Sequence, residues 1–189
     1  TSIQQALPDV APSYFFIDIQ KSQMPEFSQI METDKDVTSF DEAPMIRGII
    51  SRINGMPAKE YAGDHWVLRG DRGLTYSSKP LERSKITEGV WWEPGYVGPA
   101  QISFAEEEGR EMGLSLGDEL TVNIMGRDIN ATITSFRDVD FSTAGIGFIM
   151  SMNPHALQNA PHSFISTVYA NPKAEAELLR KVASKFPNI

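Results

Sequence analysis

Three histidines, His65, His155 and His162, are the first place to look for metal or acid–base chemistry in this chain. A metal site built on one element needs close pairs such as His-x-x-x-His, or carboxylates at matched spacing. His155 and His162 are separated by a stretch containing Pro161, and Asp64-His65 is a loop dipeptide. The spacing predicts surface or interface histidines and no metal site. Nucleophiles fare no better. Ser77-Ser78-Lys79 places serines near a lysine without the Ser-x-x-Lys spacing, and the chain has neither a Gly-x-Ser-x-Gly elbow nor a cysteine. Gly145-Ile146-Gly147 lacks the third glycine and the helix that a phosphate cradle requires, so no cofactor is expected.

Carboxylates cluster at Glu106-Glu107-Glu108, where acid near a helix N-terminus reads as a solvated face favoured by the helix dipole. Asp138 and Asp140 alternate along an extended segment, facing one side, where they can pair with Arg137 or other bases. A general acid/base pair needs a cleft and separated pKa values, and neither shows in the pattern. The chemistry-bearing residues therefore describe a non-enzymatic chain. Aromatics are the remaining candidates: Trp66, Trp91, Trp92, Tyr96 and Phe104. Adjacent Trp91 and Trp92 cannot both enter one core from a strand. Either one is exposed for a partner or lipid contact, or both pack across a lobe junction.

The elements that position these residues follow from periodicity. Phe15, Ile17 and Ile19 share one face of a strand over 14–20 at period two. Pro25 suits the first turn of a helix with Phe27, Ile30 and Met31 on one face. The polar run 32–39 reads as a loop, and 45–53 as a β-rich segment ending in the turn Asn54-Gly55. One or two short strands fit 65–76, and a packed loop or short strand fits 89–98. Ser103 and Glu106 form a capping box for a helix stopping at Gly113. A hairpin follows, with strands over 119–125 and 128–136 and a turn at Gly126-Arg127. Apolar residues 146–150, a short helix from Asn153-Pro154, and a strand over 163–170 come next. Asn171 and Pro172 then cap a last helix with Leu178, Leu179, Val182 and Phe186 on one face.

The totals agree with a soluble globular chain. It has 189 residues, 41% hydrophobic and 22% charged, enough for one large domain or two small ones. The net charge of −8 and the lack of a basic stripe exclude nucleic acid as an expected partner. No apolar run approaches the roughly 20 residues of a transmembrane helix, which a soluble domain of a larger membrane protein would also show.

Six segments, taken in order, resemble a known family. They are APSYFFIDI (Ala11–Ile19), PMIRGIISRINGMP (Pro44–Pro57), WVLRGDRGLTYS (Trp66–Ser77), EGVWW (Glu88–Trp92), ISFAEEEGREMGLSLGDELTV (Ile102–Val122) and TSFRDVDF (Thr134–Phe141). Together they look like an extracytoplasmic (periplasmic) domain of the FtsX-like, MacB/LolC-type ABC transporter permeases. The likeness is strongest to the second periplasmic domain of the large YbbP-type members. It covers nearly the whole chain, although Ser142–Leu157 departs from the more aromatic, Arg- and Asn-containing stretch of many relatives.

The resemblance implies an α+β fold: a porter-like α/β lobe from 1–56 and 141–189, with an inserted β-rich, Sabre-like lobe at 57–140. It implies flanking transmembrane helices of the same permease, a separate cytoplasmic ATPase subunit, and a place on the periplasmic face of a bacterial inner membrane. The domain would couple ATP hydrolysis to export or extraction of a hydrophobic or lipid-linked substrate, or to a periplasmic partner. Trp91, Trp92, Tyr96 and Phe148 are its candidate contacts. Two rival readings are a periplasmic lipid- or lipoprotein-binding module without transport coupling, and a hydrolase with an unrecognised site.

Overall fold

A computed structural model describes residues 13–80, 84–139, 147–160 and 162–189. In chain order its strands and helices begin with β1 (Tyr14–Ile19), α1 (Met24–Thr33), β2 (Val37–Ile53), β3 (Met56–Pro57), α2 (Ala58–Ala62) and β4 (Arg72–Tyr76). They continue with β5 (Lys85–Gly89), β6 (Gln101–Ala105), α3 (Glu106–Glu111), β7 (Glu119–Ile124) and β8 (Arg127–Asp138). The last are β9 (Met150–Met152), α4 (Pro154–Leu157), β10 (Ser163–Ala170) and α5 (Glu175–Lys185). The fold is α+β, a large mixed sheet with few and mostly short helices. Its contacts divide it into two compact units.

The first unit draws on Thr1–Met45, Asp140–Gly147 and His162–Ile189. Strand β10 lies between β1 and the first half of β2, antiparallel to both. Helices α1 and α5 bring Phe27, Met31, Leu178 and Val182 into one core with Phe16 and Val168. Pro25 occupies the first turn of α1, and the Asn171 carboxamide oxygen accepts from the Lys173 N–H ahead of α5, as the sequence predicts.

Two features of this unit differ from the pattern. Alternation would put Phe15, Ile17 and Ile19 on one face. The register with β10 instead shifts between Phe16 and Ile19, where Asp18 takes φ 58°. The irregularity turns Phe16 and Ile19 both inward and leaves Phe15 and Ile17 exposed. Strand β2 also starts inside the expected loop, at Val37. Pairing from Val37–Ala170 to Met45–Ser163 supplies hydrogen bonds that outweigh its weak apolar pattern.

The second unit draws on Ile46–Val139 and Phe148–Pro161. It takes in residues 46–56 and 148–161, which the pattern groups with the terminal segments, because β2 and β9 pair within it. The second half of β2 pairs with β4 and with β7. Strand β4 runs parallel to β9, β9 antiparallel to β6, β6 parallel to β8, and β8 antiparallel to β7. These pairings close into a ring of strands, β2–β4–β9–β6–β8–β7–β2. Ile46, Ile53, Leu74, Ile102, Leu120 and Met150 belong to its core. Strand β5 pairs with the far end of β8.

Two local readings are corrected here. Ser103 is not a helix cap: it lies inside β6 with its Oγ 2.7 Å from that of Ser135, and α3 starts after Ala105 with no side-chain cap. The β7–β8 turn falls at Met125-Gly126, both with positive φ (51° and 85°), one residue before the expected pair.

Candidate functional site

The aromatic candidates are positioned by a forced bend at the end of β5. Gly89 has φ +79°, and a Cβ there would lie 2.2 Å from the Thr134 carbonyl oxygen. Only glycine lets β5 approach β8 this closely and then leave the sheet. The irregular segment that follows carries Val90, Trp91, Trp92, Tyr96 and Val97.

The two indoles pack on each other with centroids 4.0 Å apart, tilted by 34°. Trp92 Nε1 donates to the Ser77 carbonyl at 2.8 Å, and Trp91 Nε1 donates to the Ser78 carbonyl at 3.1 Å. Both indole donors are thus used on the chain's own backbone, and what Trp91 leaves uncovered is apolar. Tyr96 donates its hydroxyl to the Pro99 carbonyl at 2.6 Å, which tightens the loop.

Of the four expected contacts, Trp91 and Tyr96 keep partial exposure. Trp92 is only 5% exposed and Phe148 only 2% exposed, so neither offers surface; both rings fill interior space. Phe148 is also remote from the loop in sequence, and precedes β9. The loop's most exposed apolar residues are two that the pattern passed over, Val90 (76%) and Val97 (68%). A valine on each side of a Trp-Trp pair, in a segment rich in glycine and proline, is a signal that could have pointed to them.

The other chemistry-bearing residues hold structure. His65 Nδ1 accepts from the Val67 N–H, and Nε2 sits 2.7 Å from Glu111 Oε1, so both ring nitrogens are engaged. His162 packs edge-on against Phe164. His155 is exposed beside a cleft it shares with Arg127, Asp128 and Asn159. Among the described residues no three His, Asp or Glu side chains are grouped to hold a metal ion. The Ser77 hydroxyl donates to the Lys79 carbonyl at 2.5 Å, a turn contact with no base attached. In a cleft of about 480 Å³ the Asp34 carboxylate accepts from Lys181 at 3.0 Å. The Asp36 backbone N–H, followed by Lys181, holds the Asp34 carboxyl below the usual carboxylate range.

The acidic helix and Arg137 depart from expectation. Glu106 accepts from Arg110 on the solvated side of α3, but Glu108 is buried with Oε1 unpartnered among the described residues, and burial pushes its carboxyl up. Arg137 does not reach for Asp138. Its side chain is fully buried, with one guanidinium nitrogen donating to the Ser103 carbonyl at 2.5 Å and another to the Phe148 carbonyl. Loss of water pushes its pKa down to about 9. Asp140 lies outside the described residues, as does most of Gly145-Ile146-Gly147.

Beside Arg137 runs a row of small residues. Thr75 pairs with Ser151, Ser151 with Ser103, Ser103 with Ser135, and Ser135 with Gly89, each in direct register across neighbouring strands. All four hydroxyl residues are buried. Residues in register share a face, so one face of this sheet is lined by hydroxyls and the other by Ile102, Phe104 and Phe136 of the core. The row could be read from polar residues alternating with large apolar ones in ISFA, TSFR and MSM. Its small side chains let the strands lie close and offer no reacting group to solvent.

No family model matches the chain. It is 25% identical, over 166 residues and 87% of its length, to the uncharacterized ABC transporter permease YbbP of Escherichia coli. The chain is thus similar to part of an ABC transporter permease. It spans about one fifth of that relative's length (20%). A crystal structure of a domain assigned to a permease of Porphyromonas gingivalis aligns at TM-score 0.41 and 14% identity, over 84% of this chain and 74% of that one.

Proposed function

We propose that this chain is an extracytoplasmic domain of an ABC transporter permease of the FtsX-like, MacB type, on the periplasmic face of a bacterial inner membrane. In this reading a separate cytoplasmic ATPase drives the flanking helices. The domain passes their motion to a hydrophobic or lipid-linked substrate or to a periplasmic partner. The observation that carries the reading is the similarity to YbbP along 87% of the chain. The geometry supports a mechanical rather than a chemical role: Arg137 and Ser77 bond backbone carbonyls, and His65 joins the Val67 N–H to Glu111. In this proposal the first compact unit corresponds to the porter-like lobe expected at 1–56 and 141–189, and the second unit, which takes in 46–56 and 148–161, to the Sabre-like lobe expected at 57–140. Trp91 and Tyr96, joined by Val90 and Val97, are the proposed contact surface.

A second reading, a lipid- or lipoprotein-binding module without coupling, is favoured by the same exposed valines. One experiment separates the two. The intact parent protein is purified from membranes and assayed for a co-purifying ATPase, with ATP hydrolysis measured for the wild type and for V90S/V97S. The coupling reading predicts a membrane-bound complex whose substrate-stimulated hydrolysis falls in the double variant. A parent that fractionates as a free protein without an ATPase overturns it and leaves the binding module.

A further inference from the structure

The ring of strands in the second unit is closed by its shortest member. Strand β9 has three residues and lies between β4 and β6, so the ring passes from one to the other only through it. It also enters the unit last in chain order, after every other strand of the ring.

Both ends of β9 are pinned by polar side chains: at one end a desolvated guanidinium that also feels the Glu108 carboxylate, at the other a carboxamide with one donor unpartnered among the described residues. Ahead of the strand, Arg137 binds the Phe148 carbonyl and reaches back to that of Ser103. Its charge is stripped of water, and these two partners are carbonyls, not a carboxylate. Behind the strand, Asn153 Oδ1 accepts from the Gln101 N–H at 2.9 Å, while its buried Nδ2 has no partner among the described residues. Backbone bonds from Ala105 to the Ile149 carbonyl and from Ser77 to that of Met152 complete the attachment. By contrast, the β7–β8 hairpin keeps an unbroken register from Glu119–Thr132 to Ile124–Arg127. Strand β9 is buried along its length, yet closure of the ring rests on only three residues, held at each end by one polar side chain.

We propose that β9 is a removable closing strand and Arg137 its lock. Release of β9 opens the ring between β4 and β6 and bares the edges of both while the β7–β8 hairpin stays paired. This conformational step goes beyond the transport reading and does not depend on it.

Residue-resolved amide hydrogen exchange on the chain tests the proposal. In the wild type, amides of Ile149–Met152 should exchange at least about tenfold faster than those of β7–β8, through an opening smaller than global unfolding. Arg137→Lys keeps the charge but cannot span both carbonyls, and should accelerate Ile149–Met152 by a further tenfold or so while leaving β7–β8 unchanged. Ser103 and Ser151 are in register, and the chain has no cysteine. An S103C/S151C disulfide should therefore restore protection to β9 in the Arg137→Lys background. Exchange of β9 and β7–β8 at one common rate, or uniform acceleration of the whole unit by Arg137→Lys, would overturn the proposal. If Arg137→Lys does not fold, the disulfide in the wild-type chain decides: selective slowing at β9 supports the lock, and unchanged exchange refutes it.

Discussion

Gly89→Ala is the sharpest perturbation of the contact loop. Two effects add at this position. An L-residue at φ +79° costs about 1–2 kcal/mol in backbone strain. The new Cβ would also lie 2.2 Å from the Thr134 oxygen and 2.9 Å from Ser135 Cα, both backbone atoms that cannot rotate away. Relieving the overlap must move β5 from β8 and weaken the Val90 N–H bond to the Thr134 carbonyl, now 3.1 Å. That adds roughly 0.5–1.5 kcal/mol for the hydrogen bond and about as much again for the disturbed packing.

The total is roughly 3 kcal/mol, or a fall in Tm of about 6–12 °C for a chain of this size. Gly95 is the internal control. Its φ is +76°, but a Cβ there meets nothing within 4 Å, so Gly95→Ala should lose only the strain of about 1–2 kcal/mol. All three tryptophans, Trp66, Trp91 and Trp92, lie in the second unit, so urea unfolding followed by tryptophan fluorescence reports on that unit alone. Equal losses for the two variants would refute the argument that β5 is held against β8 by the missing Cβ.

Other predictions are more local. Trp92→Ala should destabilise the second unit by about 3–5 kcal/mol, as loss of a buried aromatic does, whereas Trp91→Ala should cost under about 2 kcal/mol; the same urea titration compares them. Asp34 has a folded pKa below its ordinary value of 3.8, so its contribution is complete above that value and is lost as pH falls through the depressed one. Asp34→Asn should therefore lower stability at pH 7 and flatten the acid limb of the stability–pH curve, read by far-UV circular dichroism. Glu108 is shifted the other way, from 4.5 upward by burial. Its contribution is greatest below that value and is lost as pH rises through the folded pKa, so Glu108→Gln should weaken the pH dependence above pH 4.5 in chemical denaturation.

Elements bounded by clear turn and cap residues were legible. Strand β10 begins and ends where SFISTVYA does, and α5 buries Leu178 and Val182 with Phe186 just beyond it, but Leu179, expected on the same face, is 44% exposed. The helix stop at Gly113 was legible too, since that residue has φ +74°. Legibility failed where one residue changes the phase. Asp18 reverses the faces of β1, and no local signal marks an aspartate about to take a positive φ. It failed also where pairing outweighs composition, as in the polar start of β2. In the candidate site the Trp pair and its divided exposure could be anticipated from adjacency. The burial of Phe148 and Arg137 could not, because it depends on β9 being inserted between β4 and β6, a contact between residues far apart in sequence.

The central claim, that this domain stands outside the cytoplasmic membrane as part of a permease, is a claim about sidedness. Met125 at the tip of the β7–β8 hairpin is 80% exposed, and the chain supplies no competing thiol. A Met125→Cys substitution in an otherwise cysteine-free version of the full-length gene product can be probed in intact cells with a maleimide that does not cross the inner membrane. Labelling before the inner membrane is breached is the result the account predicts. Labelling only after breach would place the domain in the cytoplasm and contradict it.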